Sequence, residues 1–276
     1  MANPILNDKA LKEANEAGYA SGAWGPPQGR PGYSSAIPAG MSDGPISRWD
    51  SRTMTVEGTA TATGVLFVIL LAAAAVGWAM VKTANDQVTQ FPGWAIAGIL
   101  VGFVSVIVMR FKPQWAKPLG VLCALGEGFF VGAISHAYEV YQHGIVIQAA
   151  GATVAVFGVM LFLYRTQIIK VTDRMRRIVI GATLGVMIFY GISLLINVFG
   201  GNVGFLNSTS GLSIAFSFFV AGLAAFNLAL DFDFIDRASK ANMPKQMEWV
   251  GAVGLMVTVV WLYLEILRLL SKLNRR

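Results

Sequence analysis

The stretch WVGAVGLMVTVVWLYLEILRLL, residues 249–270, is an apolar segment long enough to cross a membrane as one helix. It contains a single acidic residue, Glu265, deep in the apolar run. A carboxylate in such a segment is costly in lipid, and it therefore indicates a functional site with a partner. The preceding apolar run, residues 211–230, leads into three acids, Asp231, Asp233 and Asp236. These two segments hold the main candidates for chemistry in the chain.

The composition extends the apolar pattern over most of the chain. The 276 residues are 55% hydrophobic and 13% charged, against roughly 25% charged in soluble domains. The runs long enough for a hydrocarbon core of ~30 Å are residues 60–81, 94–109, 118–138, 145–164, 178–199, 211–230 and 249–270. The second run is short and flanked by Pro92 and Pro113. The sequence therefore predicts an all-α membrane protein with seven transmembrane helices, for which the lipid bilayer is a partner.

Residues 1–59 differ in composition from the rest. The segment AWGPPQGRPGYSSAIPAGMSDGP is rich in Gly, Pro and Ser, so it has little apolar surface to offset the entropy of ordering. We expect a disordered tail over 1–59 and a seven-helix domain over 60–276. The first apolar run begins too late for a signal peptide, and a single cysteine, Cys123, excludes an internal disulfide.

Basic residues are concentrated in three loops. The loops after the second, fourth and sixth runs carry most of them, whereas the other loops hold only Lys82. The positive-inside rule therefore predicts that these three loops and the N-terminus are cytoplasmic, in the plasma membrane. The same loops explain the net charge of +6 without nucleic acid. Seven spans place the C-terminus outside, although it carries four bases, Arg268, Lys272, Arg275 and Arg276. Either the loops outweigh that tail, or the last helix does not fully cross, or the count is wrong by one.

Pairs of glycines one helical turn apart recur in three runs. They occur in GILVG (Gly98, Gly102), GFFVG (Gly128, Gly132) and GATLG (Gly181, Gly185). Small residues at this spacing let helix backbones approach closely in lipid. We interpret them as packing faces.

The acids after residue 230 divide into two kinds. Asp233 and Asp236 lie four residues before Arg237 and Lys240, the spacing of ion pairs on one helix face. We therefore expect these two acids to be structural. Asp231 has no base at that spacing, so it is either an interfacial acid in water or the partner of a base elsewhere.

Arg110, at the end of the second run, is a candidate partner for Asp231 at similar depth. Its alternative interpretation is ordinary snorkelling to the membrane surface. Glu127 lies in the middle of the third run. It is interpreted either as a third carboxylate of an ion pathway or as a structural acid that is hydrogen-bonded. His136 and His143 are interpreted as interfacial histidines rather than metal ligands.

Glu265 has two interpretations. Arg268, three residues later, is close enough to neutralise it locally. Alternatively, Glu265 is a titratable group in the bundle interior that shares a proton with a second carboxyl. Low-dielectric surroundings and a neighbouring acid both disfavour ionisation of a carboxyl. When ionised, such a pair offers the hard oxygen ligands that Ca²⁺ prefers.

The chain resembles the Bax inhibitor-1 family of membrane proteins, also called the transmembrane Bax inhibitor motif or YccA-like family. The resemblance is carried by LYLEILRLLSKL (residues 262–273), LDFDFI (230–235), VMRFK (108–112) and AAGATVAVFGVM (149–160), and it covers residues 55–276 without the tail. It implies six helices wrapped around a central C-terminal helix.

The resemblance also implies roles for particular residues. In relatives with transport activity, two aspartates on the last two helices form a pH sensor that gates a calcium leak, and an arginine on the second helix binds one of them in the closed form. These roles fall on Asp231, Glu265 and Arg110, with the two acids as transient Ca²⁺ ligands. The last helix has Glu instead of Asp at residue 265, and the separation of the two acids exceeds the family spacing by about two helical turns.

Two hypotheses of function follow. The first is a pH-sensitive cation leak channel or transporter with Ca²⁺ as the transported ion and no bound cofactor. The second is a membrane regulator that transports nothing and binds another membrane protein, such as a quality-control protease.

An enzyme is not expected. Lys272, the only lysine in the last run, lies at its end rather than in the middle where a retinal protein needs it. Ser135 and His136 are adjacent, so on a helix they point about 100° apart and cannot act as nucleophile and base together.

Overall fold

The computed structural model describes residues 53–84, 87–90, 93–199, 204 and 208–275. Seven long helices account for almost all of the described chain: α1 (Val56–Ala79), α2 (Gly93–Phe111), α3 (Ala116–Tyr141), α4 (Ile145–Arg165), α5 (Asp173–Val198), α6 (Gly211–Lys240) and α7 (Met247–Asn274). A short antiparallel hairpin, β1 (Lys82–Ala84) and β2 (Gln87–Gln90), follows α1. The predicted all-α class is confirmed. Residues 1–52 of the predicted tail lie outside the described residues.

The C-terminal helix α7 is the centre of the bundle. It packs against α1, α3, α4 and α6, while α2 packs against α3 and α5 packs against α6. Two apolar cores pack against it. One contains Leu262 and Leu267 with residues of α4 and α6, and the other contains Val253 and Met256 with residues of α1 and α3. The predicted central position of the last helix is therefore confirmed.

Six of the described helices, α1 and α3 to α7, are long and apolar enough to cross a membrane. The apolar part of α2 is shorter, Ala97–Phe111, as its flanking prolines indicated. Helix α6 has 30 residues and therefore spans ~45 Å, more than the ~30 Å core of a bilayer. It continues ten residues past the predicted end at residue 230 because its charged last turns form ion pairs along the helix.

The start of α1 is tied to the α6–α7 loop. Thr55 caps α1 by accepting a hydrogen bond from the Gly58 N–H. Buried Glu248, in the first turn of α7, in turn accepts from the Thr55 N–H and hydroxyl, each at 3.0 Å. The Met54 N–H donates to the Met243 carbonyl at 2.7 Å. These contacts bring the N-terminus of α1, the C-terminus of α6 and the N-terminus of α7 to one end of the bundle, here called the loop end.

Two of the three glycine pairs are close-contact faces. A Cβ atom on Gly128 or Gly132 would strike the backbone of α1, and one on Gly98 would strike the Gly126 carbonyl of α3. The GATLG pair differs, because a Cβ atom on Gly181 or Gly185 of α5 would meet no described atom within 4 Å. The expected close packing is therefore confirmed for α1, α2 and α3 and is not found for α5.

Candidate functional site

Asp231 points from α6 towards α7. Its side chain contacts the Thr258 hydroxyl and lies beside Gly254, where a Cβ atom would be 3.7 Å from the Asp231 Oδ1. The Oδ2 atom is buried and has no hydrogen-bond partner among the described residues. The Thr258 hydroxyl also donates to the Gly254 carbonyl at 3.0 Å. Within the described part of the chain, the partner of Asp231 is therefore one neutral hydroxyl on a neighbouring helix.

A cavity of about 550 Å³ lies beside Asp231, between α5 and α6 at the loop end. Its polar lining consists of Arg176, Asn227, Asp231 and Arg237, and the rest is mostly apolar. Asn227 is engaged with the Thr183 hydroxyl at 2.8 Å. The cavity therefore joins the buried carboxylate of Asp231 to the end of the bundle that carries the basic loops.

Both arginines of this cavity are held by Asp233. The carboxylate of Asp233 is 2.6 Å from the Arg176 guanidinium and 2.8 Å from that of Arg237. Further along α6, Lys240 pairs with Asp236 at 2.6 Å. The expected four-residue ion pairs of Asp233 and Asp236 are confirmed. Arg176 was counted in the sequence only as a loop charge, because a partner on another helix leaves no spacing signal.

Glu265 belongs to a second, closed polar cluster. It is 2% exposed, and it accepts from the Tyr190 hydroxyl of α5 at 3.0 Å and from Arg268 at 3.0 Å. Arg268 also donates to the Tyr190 hydroxyl at 2.7 Å and lies over its ring. The local neutralisation by Arg268 is thus present, and Tyr190 is a partner that the sequence did not indicate.

The structure does not bring Asp231 and Glu265 together. Asp231 faces Thr258, which lies seven residues before Glu265 on α7 and therefore about 10 Å away along the helix axis. This offset matches the two extra helical turns in the sequence separation of the two acids. Thr258, rather than an acid, occupies the position opposite Asp231.

The other two candidate residues lie apart from this pair. Arg110 is exposed at the end of α2, and within the described ranges no residue pairs with it. Glu127 is packed between α2 and α3, where its Cγ fills the space left by Gly102. Its Oε1 is 3.8 Å from the Cys123 sulfur, and its Oε2 is buried without a partner in the described structure.

The histidine and serine of α3 are used in helix packing. His136 stacks on Trp78 and bonds to the Trp78 carbonyl at 2.7 Å. Ser135 instead bonds to the Tyr263 hydroxyl of α7 at 2.7 Å, and His143 is exposed. In the part of the chain that is described, no three His, Cys, Asp or Glu side chains are grouped so as to hold a metal ion.

Lys272 is a buried cation whose role the sequence did not indicate. It is 5% exposed, and its ammonium bonds to the Ser213 hydroxyl at 2.8 Å, the Ser213 carbonyl at 3.3 Å and the Ser217 hydroxyl at 2.7 Å. The sequence did contain a sign that Lys272 is buried. Lys272 lies seven residues after Glu265 and therefore shares a face of α7 with this buried acid.

The fold and the site define an integral membrane protein of seven helices with ionisable side chains inside the bundle. The chain belongs to the family described as Bax inhibitor 1 like, whose family model matches residues 3–275. That match includes residues of the tail, which the resemblance had left out. Comparison with curated proteins and with solved structures gives no match.

Proposed function

We propose that this membrane protein is a pH-sensitive leak path for cations, with Ca²⁺ as the transported ion and Asp231 as the titrating group. The observation that carries the proposal is the Asp231 carboxylate. It lies at an open cavity, and among the described residues it has a buried oxygen without a partner and makes no ion pair. Ionisable groups inside a membrane bundle mark ion and proton pathways by default.

The charges around the cavity give the expected direction of the pH response. Arg176 and Arg237 contribute two positive charges, and their partner Asp233 contributes one negative charge. With Asp231 ionised the four groups are neutral together, whereas protonation of Asp231 leaves an excess positive charge that repels cations. Carboxylate oxygens are also the ligands that Ca²⁺ prefers. Cation entry therefore increases as Asp231 loses its proton.

The hydrogen bonds of Thr258 favour a closed form with Asp231 protonated. A threonine hydroxyl has one proton to donate, and this one reaches the Gly254 carbonyl. A protonated Asp231 completes the arrangement by donating to the Thr258 oxygen. Loss of that proton leaves a carboxylate with too few donors, which admits water or a cation.

An apolar cluster supports assignment of this structure to the closed form. It contains Val186, Val220 and Leu223, and the residues packed against it include Leu230, which lines the cavity, and Tyr190, which binds Glu265. Opening requires α5 and α6 to separate here. In this proposal the loop end is cytoplasmic, in the plasma membrane, since the basic loops emerge there.

Calcium flux into proteoliposomes tests the proposal. We expect flux to rise with pH by up to about tenfold per pH unit below the titration midpoint, because it follows the ionised fraction of one group. Asp231→Asn should give low flux that no longer responds to pH. Asp236→Asn is the matched control, since it makes the same change on the same helix at an acid paired with Lys240, and it should behave like the wild type. A pH response that persists in Asp231→Asn contradicts the proposal.

The second candidate is a regulator that binds another membrane protein and transports nothing. The open GATLG face of α5 favours it, because a Cβ atom on Gly181 or Gly185 would meet no described atom within 4 Å and such faces suit helix association. The flux assay separates the two candidates, since a regulator of this kind moves no Ca²⁺ at any pH.

A further inference from the structure

We propose that the end of the bundle opposite the loop end contains a binding site for a phosphate-class oxyanion, either a free ion or the headgroup of a phospholipid. The site is a pocket of about 150 Å³ between the last turns of α3 and α7. Its polar lining consists of Tyr138, Tyr141, Arg268, Ser271, Lys272 and Arg275. The inference does not rest on the proposed cation leak.

The three bases of this pocket share one face of α7. Arg268, Lys272 and Arg275 follow one another at intervals of four and three residues, so they stand above one another on the helix. Tyr138 and Tyr141 of α3 also line the pocket, and the Tyr138 hydroxyl contacts Arg268. Guanidinium and ammonium groups beside hydroxyls are the donors that bind phosphate oxygens.

Among the described residues, the acids near the pocket do not balance its positive charge. Glu265 binds Arg268 and neutralises one charge. Glu139, also on α3, is directed at the start of α4, where it accepts from the Gly144 and Val146 N–H groups. The contacts of Lys272 are all neutral oxygens. Among the described residues, Lys272 and Arg275 therefore carry two positive charges without an ion-pair partner. The three donors of Lys272 are used on α6, so Lys272 adds charge near the pocket while exposed Arg275 supplies the free donors for a ligand.

The position of Lys272 strengthens this conclusion. Its ammonium lies in the first turns of α6, beside Ser213 and Ser217. A helix N-terminus carries a partial positive charge that disfavours a cation, and a buried charge without a counter-ion is costly. An oxyanion in the pocket would reduce both the repulsion between Lys272 and the N-terminus of α6 and the cost of burying its charge.

The pocket also explains a conflict in the loop charges. The bases near the C-terminus oppose the orientation that the other loops predict. Lys272 is buried, and Arg268 is engaged with Glu265 and Tyr190. These two are therefore site residues inside the bundle rather than loop charges that set its orientation.

Thermal unfolding of the full chain in a maltoside detergent tests the site, with sodium chloride at equal ionic strength as the reference. The probes are inorganic phosphate and dihexanoyl phosphatidic acid. We expect at least one of them to raise the melting temperature of the wild type as its concentration rises, because a ligand that binds only the folded state stabilises it. Stabilisation by inorganic phosphate indicates a site open to the free ion. Stabilisation by the phosphatidic acid alone assigns the site to a lipid headgroup.

Arg275→Gln is the decisive variant, since Arg275 is exposed and its loss does not disturb the fold. We expect it to weaken the apparent affinity about tenfold, the effect of one charge-assisted contact. Arg165→Gln removes an exposed arginine at the last turn of α4, at the loop end, and should change nothing. Lys272→Met removes the second positive charge near the pocket and should also weaken the response. The proposal is overturned if neither probe stabilises the wild type beyond chloride, or if Arg275→Gln responds as the wild type does.

Discussion

Replacing Arg268 with methionine destabilises the folded protein by about 3 kcal/mol, because it leaves the buried Glu265 carboxylate without its cation. Glu265 is 2% exposed, so little of its carboxylate is hydrated in place of the lost partner. Tyr190 continues to donate to Glu265 at 3.0 Å. The expected loss of stability is therefore at the lower end of the range for breaking a buried ion pair. Methionine preserves most of the volume of the side-chain stem. Unfolding by SDS in mixed micelles measures the difference.

Two further variants separate the buried charge from lost packing. Adding Glu265→Gln to Arg268→Met removes the uncompensated charge, so the double variant should recover most of the stability. Lys240→Met breaks the exposed Lys240–Asp236 pair and should cost no more than about 0.5 kcal/mol. If Arg268→Met is as mild as Lys240→Met, the Glu265 cluster is not the closed ion pair described here.

Replacing Asp233 with asparagine loosens α5 from the bundle. The Asp233 carboxylate holds Arg176 of α5 and Arg237 of α6 at 2.6 and 2.8 Å, and α5 packs against α6 as its main neighbour. We expect a loss of about 2 kcal/mol, less than for a fully buried pair because both arginines are partly exposed. Hydrogen exchange in the first two turns of α5 should accelerate at least about tenfold.

Asp236→Asn is the comparison for this variant. It makes the same change three residues later on α6, where the carboxylate pairs with exposed Lys240. Exchange in α5 should remain at the wild-type rate, and stability should change by no more than about 0.5 kcal/mol. Unchanged exchange in α5 of Asp233→Asn shows that the Arg176 contact does not anchor this helix.

Local features of the sequence predicted the helices and their own ion pairs. The apolar runs correspond to α1–α7 because, in lipid, the backbone N–H and C=O groups of each segment must form their hydrogen bonds within that segment. The pairs of Asp233 with Arg237, Asp236 with Lys240 and Glu265 with Arg268 follow from spacing along one helix. Both partners of such a pair are visible in one short stretch of sequence.

Contacts between helices could not be predicted in the same way. Thr258 faces Asp231 because the packing of α6 on α7 sets their relative height, and that height depends on side-chain volumes along both helices. If the relative height of the two helices is wrong by two turns, the residue predicted to face Asp231 changes from Thr258 to Glu265. The partners Arg176 and Tyr190 on α5 were missed for the same reason, since nothing in the α5 sequence marks which turn meets α6 and α7.

We propose that the two intramembrane carboxyls of α6 and α7 act separately, with Asp231 at the cavity and Glu265 in an ion pair with Arg268. Infrared difference spectroscopy of the protonated carboxyl band as the pH is changed tests it most directly. The Glu127→Gln background removes the signal of Glu127, whose Oε2 is also buried without a partner in the described structure. We predict that Asp231→Asn abolishes the remaining band in this background and that Glu265→Gln leaves it unchanged. A band that is lost or shifted in Glu265→Gln contradicts the account, because it means that the two acids share a proton.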